Sequence, residues 1–518
     1  MYRQALQRPA RQTATQQVVP APIRGLRSDK GLTAEQPGVA MLLTNWVPET
    51  DAVRLRRGYT DHVTGSSLVE TLMPYNAAGD SALFAAIGTG IYDVTVAGGL
   101  GGAEVSDVGN AQFSHFNFTT AAGTRYLVAC NGDNPVLNYD GTSWTEPVIS
   151  GIDSFDLVFG WAFKTRQWFI ELDSMSAWYL PVDSVAGSAT EFPLGTLFKR
   201  GGQLMAAGSM SYDSGEGIDD LNVFITSEGE VAVYEMTDPD TVSTLALKGL
   251  YYIGRPIGRR CLFNVGGDLM ILTKTGIIPL SKAISLDKAV LEAAAITAPI
   301  RREFADAAFA YGGNDGWQMV SFPETNIMIV NVPEEEGLES RQYIMNLLSN
   351  AWGLWTGINA LCWAVFNDSL YFGGVDGVYE AETGSSDNGA AIQAELLTSY
   401  SQLGAPGRQK KIELIQPIIR SNATVNGGVQ IAADYVDPTT DPNQSESVEI
   451  SGFTWDVSNW DEANWAGTTV SKQWRSGTNI GTAIALHYAV TVTTSETSDL
   501  EFRLIGFNLI YNVGNPIG

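Results

Sequence analysis

The stretch LNVFITSEGEVAVYE, residues 221–235, decides the fold class. Two β-rich runs meet at a glycine, and the apolar residues in the second run alternate, as in a strand with one buried face. Glycine, Asn and Asp accept the positive φ that a tight hairpin needs. The same form recurs along the chain. ALFAAIGTGIYDV spans 82–94, RYLVACNGDNPVLNYDG spans 125–141 and DLMILTKTGIIPLS spans 268–281. GWQMVSFPETNIMIVNV follows at 316–332 and LCWAVFNDSLYFGGVDGVYEAE at 361–382.

Taking one turn per unit gives Gly90, Gly141, Asp173, Gly229, Gly276, Thr325 and Gly377, most of them 47 to 56 residues apart. A unit of that size holds four short strands, the blade of a β-propeller. Radial closure also hides the sheet edges that many short strands would expose. The reading is therefore all-β: an irregular six- or seven-bladed β-propeller over 59–382, without a WD or kelch signature. A pair of β-sandwiches is the competing architecture. One stretch, LDKAVLEAAAITAPIRREFADAAFAY (286–311), breaks the pattern, and its composition predicts a helix from about Asp287 to Ile296 that ends near Pro299. PEEEGLES (333–340) reads as an acidic loop.

Residues 1–58 read as an extended N-terminal arm and leader. Residues 383–391, TGSSDNGAA, read as a linker or long turn, and 392–518 as a C-terminal β-sandwich. Within that last segment Trp455, Trp460 and Trp465 recur every five residues, matching neither helix nor strand period. They suit either a subunit interface or a cap on the sandwich core.

Composition narrows the function classes. The 518 residues carry 57 acidic and 31 basic groups, a formal charge of -26. Such a chain is poorly suited to gripping nucleic acid through phosphates. The charge is uneven. Residues 1–28 hold Arg3, Arg8, Arg11, Arg24 and Arg27 and no acid, so the remainder carries -31. A basic arm on an acidic body points toward an acidic neighbouring subunit. Arg54, Arg56 and Arg57 add positive charge in the leader. The same run also reads as an amphipathic strand with Val53 and Leu55 inward.

No catalytic or metal pattern emerges. Cys130, Cys261 and Cys362 lie about 100 residues apart in apolar runs, as buried free thiols do. His62, His115 and His487 form no short-range metal motif. Asp213, Glu216, Asp219 and Asp220 cluster in DSGEGIDD (213–220), but the spacing is not that of an EF-hand and suits a solvated loop. GDNP (132–135) suits an Asx-type turn. GLYYIGRPIGRR (249–260) lacks phosphate-loop spacing, so Arg255, Arg259 and Arg260 read as interface or loop charges. The expectation is a non-enzyme with no catalytic residues, no cofactor and no metal. No apolar run is long enough for a transmembrane helix, and the opening residues lack the apolar core of a secretory signal.

The leader carries a family resemblance. It contains Pro22-Ile23-Arg24-Gly25, then Leu43-Thr44-Asn45-Trp46-Val47-Pro48, then Val53-Arg54-Leu55-Arg56-Arg57-Gly58. In that order these elements resemble the opening of tail and head-completion proteins of short-tailed bacteriophages. NGDNPVLNYDGTSW (131–144), FNDSLYFGGVDGVYEAE (366–382) and GTAIALHYAVTV (481–492) are similar to segments of the same proteins. The resemblance implies a nozzle, hub or packaged-DNA stabilisation protein with a β-propeller platform. It implies a virion location in the tail, a homohexameric ring around an axial channel, and portal or adaptor proteins above. Tail fibre, spike or needle proteins, receptor or membrane contact at infection, and transient passage of double-stranded DNA complete the implied partners. The alternative is a tail receptor- or glycan-binding protein, with or without glycan hydrolase activity. Trp46 is expected to anchor the leader against the first blade, with Pro48 holding Val47 extended.

Overall fold

The computed structural model describes residues 14–31, 33, 36–213, 218–285, 291, 293–422, 425–436, 438, 447–448, 469–471, 473–477, 479–492 and 499–516. The chain forms two compact units. One comprises 59–347 and 355–382, and the other 1–58, 348–354 and 383–518.

In the first unit, small antiparallel sheets follow one another along the chain. Val69–Tyr75, Ala82–Ile87, Gly90–Asp93 and Ala103–Ser106 form the first. Ser114–Thr119, Arg125–Cys130, Leu137–Tyr139 and Trp144–Thr145 form the second. The third runs from Leu157–Phe163 to Thr190–Pro193, and the fourth from Leu204–Asp213 to Leu245–Tyr252. Leu262–Val265, Asp268–Thr273 and Gly276–Pro279 make a three-stranded fifth sheet. Gln318–Phe322, Ile327–Glu335 and Glu339–Asn346 form the sixth group. In the seventh, Cys362–Phe366, Ser369–Gly373 and Gly377–Thr383 take Gly58–Thr64 as their next strand.

Packing makes this series a closed, β-propeller-like fold. The stretch 221–235 illustrates the rule. Its turn glycine, Gly229, has φ +82, and a Cβ there would fall 2.2 Å from the Gly254 carbonyl oxygen. Leu221, Val223 and Ile225 point into a core shared with Leu269, Ile271 and Ile278 of the fifth sheet. Phe224, between them, points the other way, into a core shared with Trp161, Trp168 and Tyr179 of the third. Both faces of the strand are thus buried, as the period of two allows. Similar cores join the second sheet to the third and the first to the second. Another joins the seventh sheet, through Cys362, Phe366 and Val378, back to Val69, Leu72 and Leu83 of the first. The first strands of successive sheets also contact one another from the second sheet round to the first, where Val69–Tyr75 meets the second sheet through Arg125–Cys130.

Of the expected helix from about Asp287 to Ile296, residues 286–290 and 292 lie outside the described residues and Leu291 is helical, whereas its expected end is corrected, because Ala293–Ile296 form turns and bends. The described helices flank that stretch, at Leu280–Ser285 and Arg301–Tyr311. Pro299 starts rather than stops a helix: it sits in the 3-10 turn Ala298–Ile300 that leads into Arg301–Tyr311, where its missing N–H costs nothing. PEEEGLES is a hairpin between Ile327–Glu335 and Glu339–Asn346, with Gly337 at its tip.

The second unit is a β-sandwich built from both ends of the chain. Phe502–Pro516 and Arg408–Ser421 pair along most of their length, and the leader strands Thr15–Pro20 and Val53–Leu55 pair with Phe502–Pro516. In the facing sheet, Ala40–Thr44 pairs with Ile392–Thr398, which pairs with Ile484–Val492 and through it with Val425–Ala433. Thr44 also stands opposite Leu354. The expected 392–518 sandwich therefore omits strands that the leader and 348–354 supply. Residues 383–391 form a turn closed by the Asp387–Ala390 bridge, with Ser385 and Asp387 buried within this unit.

Candidate functional site

Most leader residues expected at an interface are used inside their own unit. Asn45 adopts a left-handed conformation, φ 61, which Asn tolerates better than most residues. Its amide Nδ2 donates to the Gln393 carbonyl at 2.7 Å, and its Oδ1 accepts from Arg56 Nε at 2.9 Å. Arg56 is 1% exposed and donates from Nη1 and Nη2 to the two carboxylate oxygens of Asp387 at 2.7 and 2.6 Å. This two-pronged geometry is the strong form of an Arg–carboxylate pair. Arg54 is buried, 3.4 Å from Glu49, and Arg57 pairs with Asp499 at 3.1 Å. These three arginines are thus committed within the chain rather than held out for another subunit.

Trp46 is fully buried, with ring centroids 6.2 Å from Tyr488 and 5.8 Å from Phe502. It anchors the leader to the C-terminal strands, correcting the expectation of the first blade. Arg27 pairs with Asp29 at 2.9 Å, while Arg24 is exposed. Arg3, Arg8, Arg11, Trp455, Trp460 and Trp465 lie outside the described residues.

Of the acidic cluster at 213–220, only the Asp220 side chain is among those described. Asp220 binds Lys164 at 2.7 Å and Ser211 at 3.1 Å, bonds that hold its carboxyl below the usual range. Glu216 lies outside the described residues. Asn131 Oδ1 accepts from the backbone N–H groups of Asp133 and Asn134, forming the Asx-type turn at GDNP. The three cysteines are buried and free, and burial pushes their thiols up, Cys130 and Cys261 to about 12 and Cys362 to about 11. Among the described residues, no group of His, Cys, Asp and Glu is arranged to hold a metal.

The centre of the propeller-like unit is hollow. It is a cavity of about 1070 Å³, lined by first strands of the sheets and the segments leading into them. Its ionisable lining includes Glu70, His115, Arg259, Arg260, Asp315 and Glu336. Arg260 extends from the start of the fifth sheet to the first, donating to Thr71 Oγ1 at 2.6 Å and the Glu70 carbonyl at 3.0 Å. Asp315 accepts from Gln112 Nε2 at 3.1 Å. His115 keeps some surface toward the cavity yet lies deep in the unit. Desolvation, with the Arg260 charge second, pushes its imidazole down to about 4, so it is neutral near pH 7. Burial raises the Glu70 carboxyl, against the opposing pull of Arg260.

Sequence reading missed this constellation. The run GRPIGRR was visible, but Arg255, Arg259 and Arg260 part company in space. Arg255 pairs on the surface with Glu228 at 2.7 Å, whereas the other two line the cavity. Only closure of the sheets brings residues 70, 115, 260 and 315 together, and no local signal announces that.

No family model matches the chain, and no curated protein matches it. Solved structures similar to it include the computationally designed protein Ika8, at 10% identity, with 62% of this chain and 99% of that one covered and a TM-score of 0.35. BBS1N, crystallised in complex with ARL6DN, is 9% identical over 63% of this chain and 97% of its own, with a TM-score of 0.38. Raptor from Chaetomium thermophilum is 8% identical over 63% of this chain and 29% of its own, with a TM-score of 0.35.

Proposed function

We propose that this protein is a structural component of a short bacteriophage tail, a nozzle or hub that forms a ring and continues the DNA channel below a portal or adaptor. The observation that carries the reading is the ordered set of leader elements, each with a specific structural task. Gly25 closes the first with φ +75, where a Cβ would lie 2.4 Å from the Trp352 carbonyl oxygen. Asn45 and Trp46 provide the hydrogen-bonded bend and the core anchor of the second. Arg56 in the third locks onto Asp387. Short motifs with such tasks suit a protein whose scaffold is itself its product.

In this role the chain is a hexamer, its partners are the portal or adaptor ring and the fibre, spike or needle proteins, and DNA passes without being held. The formal charge of -26 favours passage over adhesion. The glycan-binding alternative calls for exposed rings. Among the described tryptophans only Trp474, 40% exposed, presents one.

Native mass measurement of the purified chain, together with imaging of particles that carry it, tests the proposal. The expected result is a ring of identical subunits at the tail. A lone monomer with no position in the particle would overturn it.

A further inference from the structure

Arg259 and Arg260 both line the central cavity but reach different sheets, Arg259 the fourth and Arg260 the first, and both are held by neutral acceptors. Arg259 Nη1 donates to the carbonyls of Met205 and Leu204 at 3.2 and 3.4 Å. Arg260 Nη2 donates to Thr71 Oγ1 and the Glu70 carbonyl. A guanidinium has five N–H donors. Two hydrogen bonds each therefore leave Nε and a second terminal nitrogen on both arginines without a protein acceptor among the described residues.

Carboxylates act on them only through space, Asp173 on Arg259 and Glu70 and Asp315 on Arg260, without forming an ion pair with either. Burial works against both positive charges. Both side chains are half-buried; a partly desolvated cation without a counter-charge is costly, and an incoming anion lowers that cost. The amides of Gln203 and Asn131 line the same cavity, along with the neutral imidazole of His115.

We propose that the centre of the propeller-like unit is a binding site for a small ligand bearing an oxyanion, a phosphate or a carboxylate, seated against the free edge of the Arg260 guanidinium, with the Arg259 charge elsewhere on the same wall adding to the attraction. Planar guanidinium edges match both groups in a two-pronged fashion. The three acids on the wall, Glu70, Asp315 and Glu336, restrict the ligand to one whose remaining surface is neutral or cationic. The site is independent of any ring assembly.

Calorimetric titration of the full chain at low ionic strength, with inorganic phosphate in one arm and acetate in the other, tests the proposal. Saturable binding of one ion per chain is expected in at least one arm, and the arm that binds identifies the oxyanion. Arg260→Gln should weaken it about tenfold or more, from the loss of charge-assisted hydrogen bonds. Arg255→Gln, on the outer surface, should leave it unchanged. Because Arg260 also braces two sheets, Gln203→Glu provides a second variant: it places a carboxylate on the cavity wall, keeps both arginines and should also weaken binding. Absence of saturable binding in both arms would overturn the proposal. So would binding that survives Gln203→Glu and the Arg259→Gln, Arg260→Gln double variant unchanged.

Discussion

Arg56 concentrates the logic of the leader in one side chain. It touches Asn45 eleven positions before it and Asp387 more than three hundred after it. Arg56→Ala would strand the buried Asp387 carboxylate, and about 3–5 kcal/mol of stability should be lost, read from denaturant unfolding of the β-sandwich unit. Trp46→Ala should cost about 3–5 kcal/mol by opening a cavity between Tyr488 and Phe502. His115 makes a prediction in pH. Its folded value of about 4 lies below the ordinary 6.5, so the unfolded chain binds more protons between those values. Stability should therefore fall as pH drops from 6.5 toward 4 and level off, for this group, below 4. Thermal denaturation of the parent and of His115→Gln across that window checks it: the variant should show a shallower decline.

At the level of elements, the strand Gly58–Thr64 has a role out of proportion to its length. It supplies the next strand of the last sheet, although it precedes the first in sequence. Val63, 3% exposed, belongs to the core that joins the seventh sheet to the first. Val63→Asp would bury an unpaired charge at that closure, and the whole propeller-like unit should lose at least about 3 kcal/mol, seen as a lower midpoint in urea.

Elements also explain what was legible in the sequence. Gly229 and Asp173, φ 52, sit at hairpin turns because a tight turn is decided by neighbours in the chain. Gly141 also marks a turn, but between the third and fourth strands of its sheet rather than the second and third, which accounts for the short interval to Asp173. The partners of Ala40–Thr44 and of Arg56 were not legible. A strand or an arginine carries no mark of which distant segment will complete it. For the same reason the cavity arginines looked like loop charges until the sheets closed around them.

For the molecule as a whole, charge and architecture lead to one expectation about DNA. With a formal charge of -26, the chain should show no binding to non-specific duplex DNA at about 150 mM salt in a filter or mobility assay. Tight, salt-sensitive retention would count against a conduit role.

The pairing of Val19 with Phe507 bears on how the chain is made. A ribosome delivers residues 59–382 long before it delivers 502–516. The propeller-like unit can therefore fold while synthesis continues, with its closing strand already in hand. The leader waits, because its partners emerge last. A nascent chain stalled soon after residue 382 has left the exit tunnel should already resist protease over that span, while its first 50 or so residues are still cut. In the finished protein Thr15–Pro20 is fastened to Phe502–Pro516, so the sandwich unit can mature only after that late strand has been delivered.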